Sequence, residues 1–175
     1  MHTILWINGA FGSGKTSVAE ALHKKIARSH IYDPEQAGYF LWDNFPEELR
    51  CRGNFQHIDL WRDFNYKFIK YVYAHYDGTL IVPMTIYIPQ YYEEIVGRLL
   101  GEGCDLHHFI LRAERETLLA RLKSRDDPDD SFAVQHIDRC LDAYASTITE
   151  KRIDTDTLCV EDIVSVILKQ INFPS

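Results

Sequence analysis

The chain has 175 residues, 46% hydrophobic and 26% charged, with a formal net charge of −7. This length gives one domain, 1–175, with room for a real core. The acidic balance excludes duplex nucleic acid as the main partner, because neutralising its phosphates needs clustered Lys and Arg; a single phosphorylated ligand needs only a local positive pocket.

The apolar run Thr3–Ile7 predicts a buried first strand, and it leads straight into Gly9-Ala10-Phe11-Gly12-Ser13-Gly14-Lys15-Thr16. That stretch matches G-x-x-x-x-G-K-[ST] in the context the motif requires, a strand before and a helix after. Val18, Leu22 and Ile26 recur every four residues and mark the helix. Glycines let the backbone curl so that successive N–H groups face an anion, and the helix N-terminus adds partial positive charge. Lys15 reaches the outer phosphates and the Thr16 hydroxyl is placed to ligate Mg²⁺, so residues 9–17, through Ser17, are assigned to a nucleoside triphosphate.

A short second strand, His30–Tyr32, runs into Asp33-Pro34-Glu35. Proline bars its continuation and leaves Asp33 at the carboxyl edge, where ligands bind in open α/β sheets. The stretch 38–50 reads ambiguously, helical with a break near Pro46. Leu60, Phe64, Phe68 and Val72 then predict a firm helix ending near Asp77-Gly78, followed by a third strand at Thr79–Val82. A helix over 91–101, a strand at His108–Leu111 and a helix opened by Glu114 and Glu116 come next. The polar segment 126–130 breaks the pattern before a helix capped by Ser131. A short strand near Arg152-Ile153 and a final helix complete an alternation that predicts a three-layer α/β domain with a five-stranded parallel sheet.

Asp33 is the candidate base that deprotonates an acceptor hydroxyl; an Asp opening a turn before proline is the rival explanation. Arg121 and Arg125, four apart beside the polar segment, suit a short lid around 121–132 that neutralises a moving phosphoryl group, Arg121 also serving the nucleotide. A solvated surface pair is the alternative for them, and Arg139 is evenly balanced. Arg62 and Tyr66, with Met84, are placed on the acceptor side, against an ion pair of Arg62 with Asp59 or Asp63. His107 and His108 receive no role. Pro83-Met84-Thr85 stands where many P-loop proteins carry a metal-binding Asp. No stretch approaches the roughly 20 apolar residues of a spanning helix. Four scattered cysteines read as free thiols, and the expected location is cytoplasmic.

In outline the chain resembles the small P-loop kinases of the nucleoside- and shikimate-kinase kind. More narrowly it is similar to the tunicamycin-resistance protein family, through Trp6–Thr16, Tyr32–Glu35 with Gly38, Leu60–Arg62 with Phe64–Tyr66, Leu80–Ile86, Glu94-Ile95, Arg98-Leu99, His107–Phe109, Glu116–Leu119 with Arg121-Leu122, and Ile137–Cys140. The resemblance implies an ATP- and Mg²⁺-dependent phosphotransferase acting on tunicamycin, a nucleoside antibiotic, or on a related nucleoside-like small molecule. On it, Asp33 carries the base role, Arg62 holds substrate, and Arg121 and Arg125 serve the lid. A kinase of another metabolite, or a non-catalytic protein that sequesters the drug under ATP control, is the alternative. Family members can extend into a basic amphipathic tail linked to membranes; here the sequence runs to Asn172-Phe-Pro-Ser175, and membrane binding is not expected. The oligomeric state is open.

Overall fold

A computed structural model describes residues 2–50, 53–125, 128 and 131–172. Strand β1 (Thr3–Gly9), buried along its whole length, occupies the centre of a five-stranded parallel sheet of order β2-β3-β1-β4-β5. Its neighbours are β3 (Thr79–Pro83) and β4 (Leu106–Arg112); β2 (Ser29–Ile31) and β5 (Lys151–Asp154) form the edges. A strand with partners on both sides and helices on both faces must be apolar throughout, hence the unbroken run at its start.

Alternate β1 side chains feed two cores. Leu5 and Ile7 pack with Val18 and Leu22 of α1 (Lys15–Lys25) and with Ile163, Val164 and Ile167 of α8 (Val160–Gln170). Ile4 and Trp6 join the larger core on the opposite face. That face carries α2 (Pro34–Asn44), α3 (Asp59–His75), α6 (Arg115–Lys123) and α7 (Phe132–Ser146), which contribute Leu41, Ile69, Leu118 and Ile137. Ser131 caps α7, its hydroxyl accepting from the Val134 N–H at 3.3 Å.

Two stretches differ from the expectations. The helix expected over 91–101 runs over 89–101, as α4 (Pro89–Tyr92), a π-helical turn (Glu93–Gly97) and α5 (Arg98–Gly101). Gly97 is the last residue of the widened turn, with the Glu93 carboxylate folded over it. The ambiguous stretch after Gly38 belongs to α2, which starts at Pro34; Phe45-Pro46 ends it, and a 3-10 turn follows at Glu47–Leu49. Asp33 caps α2 and Pro34 takes its first position, where a missing N–H costs nothing.

Asn8 ties the sheet to both neighbouring segments. It is fully buried; its Oδ1 accepts from the N–H groups of Gly9 and Ile86 and from the Tyr144 hydroxyl at 2.7–2.9 Å, and its Nδ2 donates to the Ile86 carbonyl. Asn8→Leu strands these partners in the core, each costing about 1–3 kcal/mol. The expected loss is at least about 3 kcal/mol, read from the urea midpoint at unchanged slope. Among the described residues no helix is long and apolar enough to cross a membrane, and Cys104, Cys140 and Cys159 are free thiols; Cys51 lies outside them.

Candidate active site

The loop between β1 and α1 turns on glycines. Gly9 has φ +146°, and a Cβ there would lie 2.6 Å from the Leu111 carbonyl oxygen. Gly14, at φ +93°, caps α1 in the left-handed conformation and puts the first N–H groups of the helix at the loop mouth. The Lys15 ammonium folds back to donate to the Gly9 and Ala10 carbonyls at 3.2 and 3.0 Å. Two of its three N–H donors are thereby used and one remains for a ligand. Burial pulls its pKa down to about 8, outweighing Cys140 and Glu35, which act to raise it. Thr85, two residues past β3, clamps the loop's origin: its hydroxyl donates to the Gly9 carbonyl at 2.9 Å.

Three cavities meet around this loop. The first, about 350 Å³, is walled by Lys15, Thr16, Asp33, Glu35, Pro83 and Arg125. The second, about 220 Å³, lies over Gly12–Gly14 and Ser17 and is bounded by Arg121, Arg125 and Thr155. The third, about 410 Å³, is aromatic, lined by Phe11, Tyr39, Trp42, Phe55 and Phe132, with Met84 and Glu35 in its wall. Arg125 is shared by the first two and Glu35 by the first and third. A further cavity of about 350 Å³, between Arg112 and Arg152 beneath α7, shares only Ala10 with the loop.

Most of the residues expected from sequence converge here. Phe11 packs edge-on against Phe132 with ring centres 5.8 Å apart and faces the aromatic cavity, where Met84 also lies. Arg121 is fixed by the Thr155 hydroxyl and carbonyl at 3.1 and 2.6 Å. Of the segment expected to form the lid, residues 126, 127, 129 and 130 lie outside the described residues. Asp33 lines the first cavity, but Oδ1 accepts from the Glu35 N–H at 2.9 Å as the cap of α2, and Oδ2 accepts from the Gln36 amide at 3.4 Å.

Arg62 and Tyr66 fall elsewhere. Arg62 is buried, with Nε 2.5 Å from Glu94, Nη1 2.6 Å from the Gln56 carbonyl and its guanidinium 4.3 Å from the Tyr91 ring centre. It braces the turn at 54–56 behind the aromatic cavity and is absent from the cavity wall. Neither Asp59 nor Asp63 is its partner; Glu94 is. The Tyr66 hydroxyl bonds Glu102 and its ring lies 3.7 Å under the Arg98 guanidinium, one turn along α3 from Arg62 and absent from the cavity walls. Burial raises the pKa of the Tyr87 hydroxyl, against the pull of Arg139 beside it.

The sequence reading missed Glu35 and the ring cluster. Glu35 is partly buried, and its carboxyl is raised above the usual range by burial first and by Asp33 second, against the pull of Lys15. A proline at the first helical position was the available signal, since it puts Glu35 in the first turn of a helix aimed at the loop. Gly38, in the same helix, gives Phe55 its place: a Cβ would sit 2.5 Å from the Phe55 ring. Gly38→Ala is therefore expected to displace that ring and cost about 1–3 kcal/mol of stability, read from the urea midpoint.

A central parallel sheet, a glycine-rich loop running from the carboxyl end of its middle strand into α1 and a second cavity beside it define a P-loop kinase fold. The shikimate kinase of Bacteroides thetaiotaomicron shares it at TM-score 0.64 and 16% identity, with 98% of this chain and 99% of that one covered. A sugar kinase from Janibacter sp. HTCC2649 does so at 0.63 and 16%, covering 98% and 95%. At such identities the likeness is one of fold. The tunicamycin resistance protein of Deinococcus radiodurans is far more similar, with TM-score 0.84 and 28% identity over 99% of this chain and 98% of that one. The resemblance to tunicamycin-resistance proteins thus extends over the whole chain. A scan against protein-family models and a search of curated proteins each returned no match.

Proposed function

We propose that this protein transfers the γ-phosphate of ATP to a hydroxyl of a small nucleoside-like molecule, tunicamycin or a relative of it. The observation that carries the reading is Glu35, one carboxylate in the wall of both the cavity at Lys15 and the aromatic cavity. The likeness to a tunicamycin resistance protein supports the choice of acceptor, and a fold shared with a shikimate kinase and a deoxyadenosine kinase supports the reaction type.

The loop N–H groups, Lys15 and the start of α1 hold the phosphate chain, and Arg121 with Thr155 bounds the space beside Ser17 for the rest of the nucleotide. The acceptor lies among Phe11, Tyr39, Trp42 and Phe55 with its hydroxyl toward Glu35. Glu35 takes the hydroxyl proton as the oxygen bonds to the γ-phosphorus and the bond to the β-phosphate oxygen breaks, releasing ADP. Arg125 faces the charge that spreads over the phosphoryl group. The Thr16 hydroxyl with the Asp33 carboxylate is an all-oxygen donor set that suits Mg²⁺, which takes few protein ligands beside phosphate oxygens and water. When bound, Mg²⁺ neutralises charge on the β- and γ-phosphates.

Mass spectrometry of tunicamycin after incubation with protein and Mg-ATP tests the reading. One added phosphate per molecule is expected. Unmodified drug held at one per protein would replace transfer with sequestration, and unmodified, unbound drug would remove it as the acceptor.

A further inference from the structure

Thr85 lies in the stretch where many P-loop proteins carry a metal-binding Asp, yet it is 1% exposed and turned to the loop backbone. Its place follows from how the chain leaves β3. The Met84 N–H bonds the Ile7 carbonyl at 3.0 Å, as a ladder continued past the strand would have it. Two residues on, the even spacing of a parallel ladder would bring the Ile86 N–H to the Gly9 carbonyl. That N–H goes instead to Asn8 Oδ1 at 2.9 Å, and the Gly9 carbonyl is left for side chains. Two of them take it: the Thr85 hydroxyl at 2.9 Å and the Lys15 ammonium at 3.2 Å. The Gln56 amide holds Thr85 in turn, donating to its carbonyl at 2.8 Å.

A bound phosphate competes for the Lys15 ammonium. Hydrogen bonds between charged partners are roughly twice as strong as those to neutral groups, so a phosphate draws the ammonium off the two carbonyls it holds. Each carbonyl then needs another donor, because a buried acceptor left without one costs the equivalent of about fivefold or more in affinity. The Ala10 carbonyl has the Ser13 N–H at 3.1 Å. The buried Gly9 carbonyl has Thr85. We propose that Thr85 is a positioning residue for Lys15: its hydroxyl keeps the Gly9 carbonyl bonded while the ammonium moves out to a phosphate. Both carbonyls then stay bonded with the lysine in either place, and the move strands neither. The inference rests on the loop holding nucleotide phosphates, as proposed above, and on nothing about the acceptor.

ADP affinity and folding stability, measured together, are the test. In the free protein Lys15 still covers the Gly9 carbonyl, so Thr85→Val should leave the urea midpoint close to that of wild type. Its ADP affinity, from calorimetry, should fall about fivefold or more, because the carbonyl is stranded only once the lysine moves. Thr85→Ser returns the hydroxyl and should bind ADP within about twofold of wild type. Lys15→Ala has no ammonium to move. Adding Thr85→Val to it should change ADP affinity, read by NMR titration, less than about twofold, while the urea midpoint falls. A merely structural threonine would weaken ADP binding alike in both backgrounds. Unchanged ADP affinity in Thr85→Val, an equal loss in the Lys15→Ala background, no recovery in Thr85→Ser, or no ADP binding by the wild type would overturn the proposal. Phosphate transfer is a separate readout. The expected affinities without transfer remove the phosphotransferase reading and leave this one; transfer with ADP affinity unchanged in Thr85→Val does the reverse.

Discussion

Lys15→Ala is expected to lower ATP affinity at least about 100-fold while the protein stays folded. Removing one partner of a buried charge-assisted contact costs about 2–5 kcal/mol, and Lys15 is the cation fixed between the Gly9 and Ala10 carbonyls at the floor of the phosphate cavity. Its ionisation adds a second, independent readout. Burial sets its pKa near 8 in the free protein. Bound phosphate stabilises the charged form and raises that value, so binding takes up a proton where the free ammonium is partly deprotonated. Affinity should be flat below about pH 8 and fall above it, by up to about tenfold per pH unit. Calorimetry in buffers of different ionisation enthalpy measures the proton directly. A flat profile through pH 9 in the wild type would show that Lys15 does not meet the phosphates.

The sequence was most legible where local pattern and burial coincide. Ile4, Trp6, Leu5 and Ile7 alternate between two cores, and Gly9–Thr16 needs only its own strand and helix to take shape, so both could be read directly. The acceptor side was harder because its partners are distant in the chain. Arg62 looked free among aromatics, yet Glu94 and the Gln56 carbonyl claim it; Tyr66 is turned away by Arg98 and Glu102. The ring cluster is assembled from Phe11, Tyr39, Trp42, Phe55 and Phe132, which no window of sequence contains. Asp33 was placed at the strand edge, but proline after it signals a helix cap as strongly as a strand end, and the cap takes its Oδ1 while the Gln36 amide lies 3.4 Å from Oδ2.

That cap, together with the place of Glu35 in the walls of both cavities, is why the base is proposed two residues further on. Glu35→Gln should reduce kcat for phosphate transfer by about 10²–10⁴-fold, the range for losing a general base, with ADP affinity within about threefold of wild type. The carboxyl of Glu35 is raised by burial and by Asp33. The wild-type rate should therefore climb with pH through a value above the ordinary carboxylate range, where the base becomes ionised, and the glutamine variant should lose that limb. Asp33→Asn keeps a capping oxygen, so it spares the start of α2, while removing a charge from the phosphate cavity and part of what raises Glu35. It should shift the wild-type limb to lower pH and raise the Mg²⁺ concentration needed for half-maximal rate. The two variants together decide the assignment. If Glu35→Gln turned over at the wild-type rate while Asp33→Asn was inactive, Asp33 would be the base despite its cap, and Glu35 would serve only to shape the wall between the two cavities.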